Sequence, residues 1–136
     1  MKEISAGGII VNKNKIVLVR QKRGYSFPKG HVEEGETLLD CAYREIHEEA
    51  GFAEDELELL RELGYFTRPD GGSGNTKDIH LFLFTTEKTG LTPADTRHEA
   101  IWADMEDVPS MLYPKDREFY ESYQKTIQLM NGCCRK

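Results

Sequence analysis

Between Gly30 and Gly51 seven acidic residues, Glu33, Glu34, Glu36, Asp40, Glu45, Glu48 and Glu49, stand against a single base, Arg44. In the same stretch Leu39, Tyr43, Ile46 and Ala50 recur three or four residues apart, which predicts a helix from Thr37 that buries this stripe. Thr37 and Asp40 have the spacing of a capping box, and Gly51 suits the left-handed residue that closes a helix. On that helix Glu45 and Glu49 lie one turn apart, with Glu48 three residues from Glu45, so their carboxylates share a face away from the apolar stripe. Like charges crowded into one turn repel each other. Either the acids form a well-solvated surface, or they are a seat for bound cations.

The flanking sequence is of mixed α/β character. Two β-branched runs, residues 9–11 and 16–19, surround Asn12-Lys13-Asn14 and predict a hairpin. The segment RGYSFPKGHVEEGE, rich in Gly, Pro and charge, reads as a loop before the acidic helix. Residues 57–67 and 79–86 read as strands separated by a loop containing Asp70-Gly71-Gly72-Ser73-Gly74-Asn75, and a short strand follows at residues 100–103. Pro109 marks a turn or short helix, and Phe119, Tyr123, Ile127 and Met130 form the stripe of a last helix over about residues 115–130. No repeat or long linker divides the chain, so one domain over residues 1–136 is expected.

Composition narrows the function classes. The net charge of −6 resides in the acidic stretch, since the other 114 residues carry 17 charges of each sign. No basic face for a nucleic-acid polymer is therefore expected. No apolar run approaches the roughly 20 residues of a membrane span, and MKEISAGGII lacks the apolar core of a secretory signal, which points to the cytoplasm. Cys41, Cys133 and Cys134 provide neither a disulfide framework nor a zinc spacing, and His31, His47, His80 and His98 share no ligand spacing.

Read from Gly30, the segment GHVEEGETLLDCAYREIHEEAGF has Gly30, Glu36, Arg44, Glu45, Ile46, Glu48, Glu49, Gly51 and Phe52 in the pattern G-x5-E-x7-R-E-U-x-E-E-x-G-U, with U a bulky apolar residue. If each of the seven fixed residue types occurs at roughly 6%, chance produces the pattern in such a chain on the order of once in a million or less. This is the Nudix box, and the chain resembles the Nudix hydrolases in this box and in the order of elements over most of its length. The resemblance implies an α/β/α sandwich with a mixed sheet and a loop-helix-loop holding divalent metal, Mg2+ or Mn2+. It also implies hydrolysis, by water attack at phosphorus, of a nucleoside diphosphate linked to another group. Carried over residue by residue, it makes Glu45, Glu48 and Glu49 metal ligands, one of them a candidate base, with the Lys29 carbonyl a further ligand. Gly30, Glu36, Arg44 and Gly51 become structural members of the box. Glu99 precedes the strand carrying Trp102, where many members of the family place a glutamate, and is a candidate ligand or base; a solvated loop glutamate is the alternative.

The chemistry fits independently of the family. A pyrophosphate is multiply negative and approaches clustered carboxylates only through cations that neutralise both. Basic side chains should surround the site, and Arg20, Lys22, Arg23, Lys29 and Lys77, together with His31, are the candidates. Tyr25, Tyr65 and Phe66 could stack on a base, Phe66 being better suited to the core. The entry YSFPKGHVEEGE resembles that of dinucleoside polyphosphate hydrolases, the diadenosine tetraphosphate class, and of diphosphoinositol polyphosphate phosphohydrolases. Balanced charge outside the box disfavours the latter. Sanitising of oxidised nucleoside triphosphates is a second reading, and a catalytically silent nucleotide-binding module is a reading from another class. The expected partner is a small nucleotide, with no polymer and no membrane; nothing in the sequence sets the oligomeric state.

Overall fold

The computed structural model describes residues 2–69 and 74–133. Seven strands, β1 (Lys2–Asn12), β2 (Lys15–Arg20), β3 (Tyr25–Ser26), β4 (Lys29–His31), β5 (Glu58–Pro69), β6 (Thr76–Thr85) and β7 (Ala100–Asp104), form one sheet. Among the described residues three helices accompany it, α1 (Leu38–Ala50), α2 (Val108–Met111) and α3 (Pro114–Cys133), with a single 3₁₀ turn at Glu54–Glu56. The main path runs β3-β2-β1-β6-β5; β4 pairs with the first half of β1, and β7 with β2. β1 and β6 are parallel, and every other pairing is antiparallel, so the sheet is mixed as expected.

Strand alternation divides the core in two. Ile9 and Val11 of β1 face Phe119, Tyr120 and Ile127 of α3, whereas Ala6 and Ile10 face Cys41, Ala42, Ile46 and Ala50 of α1. The α/β/α sandwich follows from these two apolar layers. The hairpin turns on Lys13 and Asn14, both at positive φ, and β1 begins well before the predicted run. The predicted entry loop is partly sheet: Ala6 pairs with Gly30 and Gly7 with Lys29, so β4 is held against β1. Residues 57 and 86 fall just outside their strands, and α3 begins at Pro114, where proline's missing N–H costs nothing. Asp70 to Ser73 and Cys134 lie outside the described residues. No described helix is long and apolar enough to cross a membrane.

The acidic helix is built as its caps suggest. Thr37 Oγ1 accepts the Asp40 N–H at 3.0 Å, and Gly51, at φ 90°, donates its N–H to the carbonyls of His47 and Ile46. Its burial differs from the expected stripe: Cys41, Ala42, Glu45, Ile46, Glu49 and Ala50 are buried, while Leu39 and Tyr43 stay partly exposed. Two carboxylates thus lie on the side of α1 that meets the sheet. The reason is β4, which covers that flank of the helix with backbone.

Candidate active site

The carboxylates are seated by β4. Glu45 and Glu49 are each only 8% exposed. The Lys29 backbone N–H donates to Glu49 Oε1 at 3.2 Å. The Glu45 carboxylate sits over Gly30 in the space a Cβ would occupy, so this seat for the carboxylate depends on glycine at that position. His47, on the opposite side of α1, is exposed.

Arg44 gathers the remaining acids. Its Nε and Nη2 donate to the two oxygens of Glu36 at 2.6 and 3.0 Å, its Nη1 donates to Glu45 at 2.6 Å and Glu48 at 3.5 Å, and its Nη2 also reaches the His31 carbonyl at 2.9 Å. This bidentate grip holds the Glu36 carboxyl at about 2, well below its usual range. The linkage has a definite sign. A depressed carboxyl contributes stability that is present above its unfolded value of about 4.5 and is lost as pH falls through about 2. Melting temperature should therefore drop steeply between pH 5 and pH 2, and Glu36→Gln should flatten that drop; an identical profile in the variant would remove the pair from the acid response.

Burial pushes the Glu49 and Glu45 carboxyls upward, opposed by Lys29 at the first and Arg44 at the second. Burial likewise pulls the Lys29 ammonium down, with Arg68 adding to the effect and Asp116 and Glu49 opposing it. Lys29 therefore feels both the acidic cluster and a second group of charges on the other face of the sheet.

Register places that second group. Lys29 lies opposite Gly7, His31 opposite Ser5, and Lys77 opposite Glu3, all odd positions of β1 that face the α3 side. Arg68 lies opposite Lys77 and joins them, a residue for which the sequence held no signal. Arg68 donates to the fully buried Asp116 of α3 at 2.7 Å, and His31 Nε2 lies 3.2 Å from Glu3. Three predicted substrate-binding residues, Lys29, His31 and Lys77, thus share one face.

Other candidates lie elsewhere. Tyr65 is 57% exposed and stacks on His80 at 5.0 Å on the α1 side of the sheet, away from the cations. Tyr25 packs half-buried on the α3-side core, as does Phe66, whose ring meets Phe119. Arg20 and Arg23 are exposed near Tyr25: Arg20 pairs with it, and Arg23 donates its backbone N–H to Tyr113 at 3.3 Å. Cys41 is fully buried, and its burial holds the thiol up at about 11.

The segment before β7 docks on the end of α1. Ala94 and Asp95 donate backbone N–H groups to the His47 and Glu48 carbonyls. This carries His98 to 3.9 Å from Glu49 and 3.8 Å from Asp95, whereas Glu99 is exposed, its backbone carbonyl accepting the Arg20 N–H. His98 is a neighbour of Glu49 that the resemblance, which singles out Glu99, does not mark. Expected outcomes separate the two: Glu99→Gln should lower turnover by less than tenfold, and His98→Ala should weaken Mn2+ binding, measured calorimetrically, by about threefold to tenfold. An unchanged Mn2+ affinity would detach His98 from Glu49, and an unchanged rate would return Glu99 to solvent.

No three His, Cys, Asp or Glu side chains among the described residues already converge as a metal-ligand group. Arg44 lies between Glu36, Glu45 and Glu48 and holds their oxygens. The donor set nevertheless fits a hard divalent cation: it is all oxygen, and Gly30 leaves room for the Glu45 carboxylate.

A family model described as NUDIX domain matches residues 1–123. The MutT4 protein of Mycobacterium tuberculosis is 31% identical over 144 residues, covering 96% of this chain, and the chain spans 58% of that relative's length. An oxidized purine nucleoside triphosphate hydrolase of Mus musculus is 27% identical over 119 residues, covering 82% of this chain and 73% of its own. The crystal structure of a C. elegans Ap4A hydrolase binary complex has a TM-score of 0.79 at 20% identity, covering 93% of this chain and 98% of that one, a likeness of fold.

Proposed function

The chain belongs to the NUDIX family, and on that premise we propose that it works as one Nudix hydrolase domain that cleaves a pyrophosphate linkage of a nucleoside polyphosphate. The substrate we favour is a dinucleoside polyphosphate such as diadenosine tetraphosphate, attacked by water at phosphorus. The observation that carries this reading is β4 itself: its backbone seats the carboxylates of α1, while its Lys29 and His31 side chains face the opposite layer with Lys77 and Arg68. One short strand thereby sets acids for a cation beside bases for a phosphate chain.

Glu45, Glu48 and Glu49, with the Lys29 carbonyl, are the groups that would hold Mg2+ or Mn2+. When bound, such an ion lowers the pKa of water and neutralises charge on phosphate oxygens. The chain's own residues do the rest. Glu49, its carboxylate held in place by the Lys29 N–H, is the base that accepts a proton from the attacking water. Lys29 offers positive charge to the departing phosphate from the adjoining face. Arg44 and Glu36 keep the loop and α1 in register throughout.

A product-resolved screen with Mg2+ in water labelled with heavy oxygen tests the reading. Diadenosine tetraphosphate should yield ATP and AMP, with label in one product. Equal or faster cleavage of ADP-ribose, or of a 5′-triphosphorylated oligonucleotide, would displace the substrate choice. Oxidised dGTP is the alternative favoured by the mouse relative's name. No metal-dependent product from any of these would favour a silent binding module.

A further inference from the structure

Arg68 on β5 and Asp116 in the first turn of α3 are 48 residues apart in sequence and form a buried pair at the α3 side of the sheet. Asp116 is fully enclosed, and its second oxygen, Oδ2, has no hydrogen-bond partner among the described residues; nor does the buried hydroxyl of Tyr120, one helical turn further on. The guanidinium also lies over the Tyr113 ring, 5.6 Å from its centroid. An arginine gripped at its edge by a carboxylate and on its face by an aromatic ring is fixed in direction. A buried ion pair is poor evidence of stabilisation, because apolar residues of similar volume serve at least as well. Stability alone does not account for the pair.

Position suggests a use. Arg68 ends the row Glu3, Lys77, Arg68 across β1, β6 and β5, and Lys29 on β4 faces the same side of the sheet. β4 and β5 are separated by three strand spacings, on the order of 14 Å of sheet. β4 pairs with β1 alone, so a phosphate chain that starts at the carboxylates on the α1 side and passes the other edge of β4 meets Lys29 first, and its further phosphates lie toward Lys77 and Arg68. The Asp116 contact is made at Nη1, one of three guanidinium nitrogens, and a guanidinium fork matches the oxygens of a phosphate.

We propose that Arg68 determines specificity for phosphate-chain length by binding the phosphate beyond the scissile linkage together with Lys29 and Lys77, with Asp116 as its positioning residue. This rests on the polyphosphate reading of the site. It selects for substrates of three or more phosphates over those with two.

Calorimetric binding of inorganic tripolyphosphate and pyrophosphate to the metal-free full chain tests it apart from catalysis. The chain should prefer tripolyphosphate by at least about tenfold, and Arg68→Gln combined with Asp116→Asn, which leaves no lone buried charge, should abolish the preference. Arg68→Lys keeps Asp116 paired and folded but loses the fork, and should reduce the preference about threefold or more. In turnover, the double variant should raise KM for diadenosine tetraphosphate at least tenfold, with kcat changed less than threefold, while KM for ADP-ribose rises at most threefold; a merely structural role would move both substrates alike. An unchanged preference in either folded variant, or none in the parent chain while it hydrolyses polyphosphates, overturns the role of Arg68. Absence of metal-dependent hydrolysis of every polyphosphate overturns instead the reading on which it rests.

Discussion

Glu49→Gln should lower kcat by at least about a hundredfold, equivalent to roughly 2.7 kcal/mol of barrier, while the melting temperature hardly moves. The amide keeps the size of the carboxylate and an oxygen to accept the Lys29 N–H, so the seat formed by β4 survives. Burial already disfavours charge at this position, so neutralising it removes a strain on the fold as much as a support. What is lost is the negative oxygen needed by a cation or by the proton of an attacking water. Turnover with Mg2+ beside a thermal melt checks both halves; near-normal turnover would remove Glu49 from the chemistry.

The second large effect is expected from Gly30→Ala. An added Cβ would meet the carboxylate carbon and both oxygens of Glu45. The obstruction is the far end of a flexible side chain, so the backbone has little need to shift and the fold should hold. The carboxylate must instead swing away, taking with it the oxygen bonded to Arg44. A fall in kcat/KM of about a hundredfold is expected, since a displacement of the order of an ångström at a catalytic group has that effect, with a melting shift of only a few degrees. Retained activity would mean that the observed seat of Glu45 is not its working position. A collapse in stability with no intermediate loss would assign Gly30 to folding alone.

The two variants probe the same fact from opposite sides: Glu45 and Glu49 are held by backbone, Glu49 through an N–H and Glu45 by the missing side chain of Gly30. That fact was only half legible in the sequence. Spacing put Glu45, Glu48 and Glu49 on one side of a helix, and Thr37 and Gly51 marked its ends, because caps and periodicity depend on residues within a few positions of each other. The same periodicity put the acids away from the buried face. It could not register that β4, formed from a stretch read as loop, would cover that flank and bury two of them.

Residues chosen by type alone were sorted by strand parity. Lys29, His31 and Lys77 came to one face because each pairs with an odd position of β1, whereas Tyr65, equally plausible by chemistry, pairs with His80 on the other. His98 rather than Glu99 approaches Glu49, since the segment before β7 is fixed by hydrogen bonds to the end of α1.

What the sequence determined by itself was the helix with its caps, the alternation of most strands, the box and the charge asymmetry, all of which are properties of neighbouring residues. The tertiary structure alone decided which carboxylates are buried, which cations share the opposite face of the sheet, and that Arg68 meets Asp116. Those outcomes depend on strand register and on contacts between residues distant in sequence, such as Lys29 with Glu49 and Arg68 with Asp116, 20 and 48 positions apart, and a chain's local pattern carries no record of which distant segment will complete its surroundings.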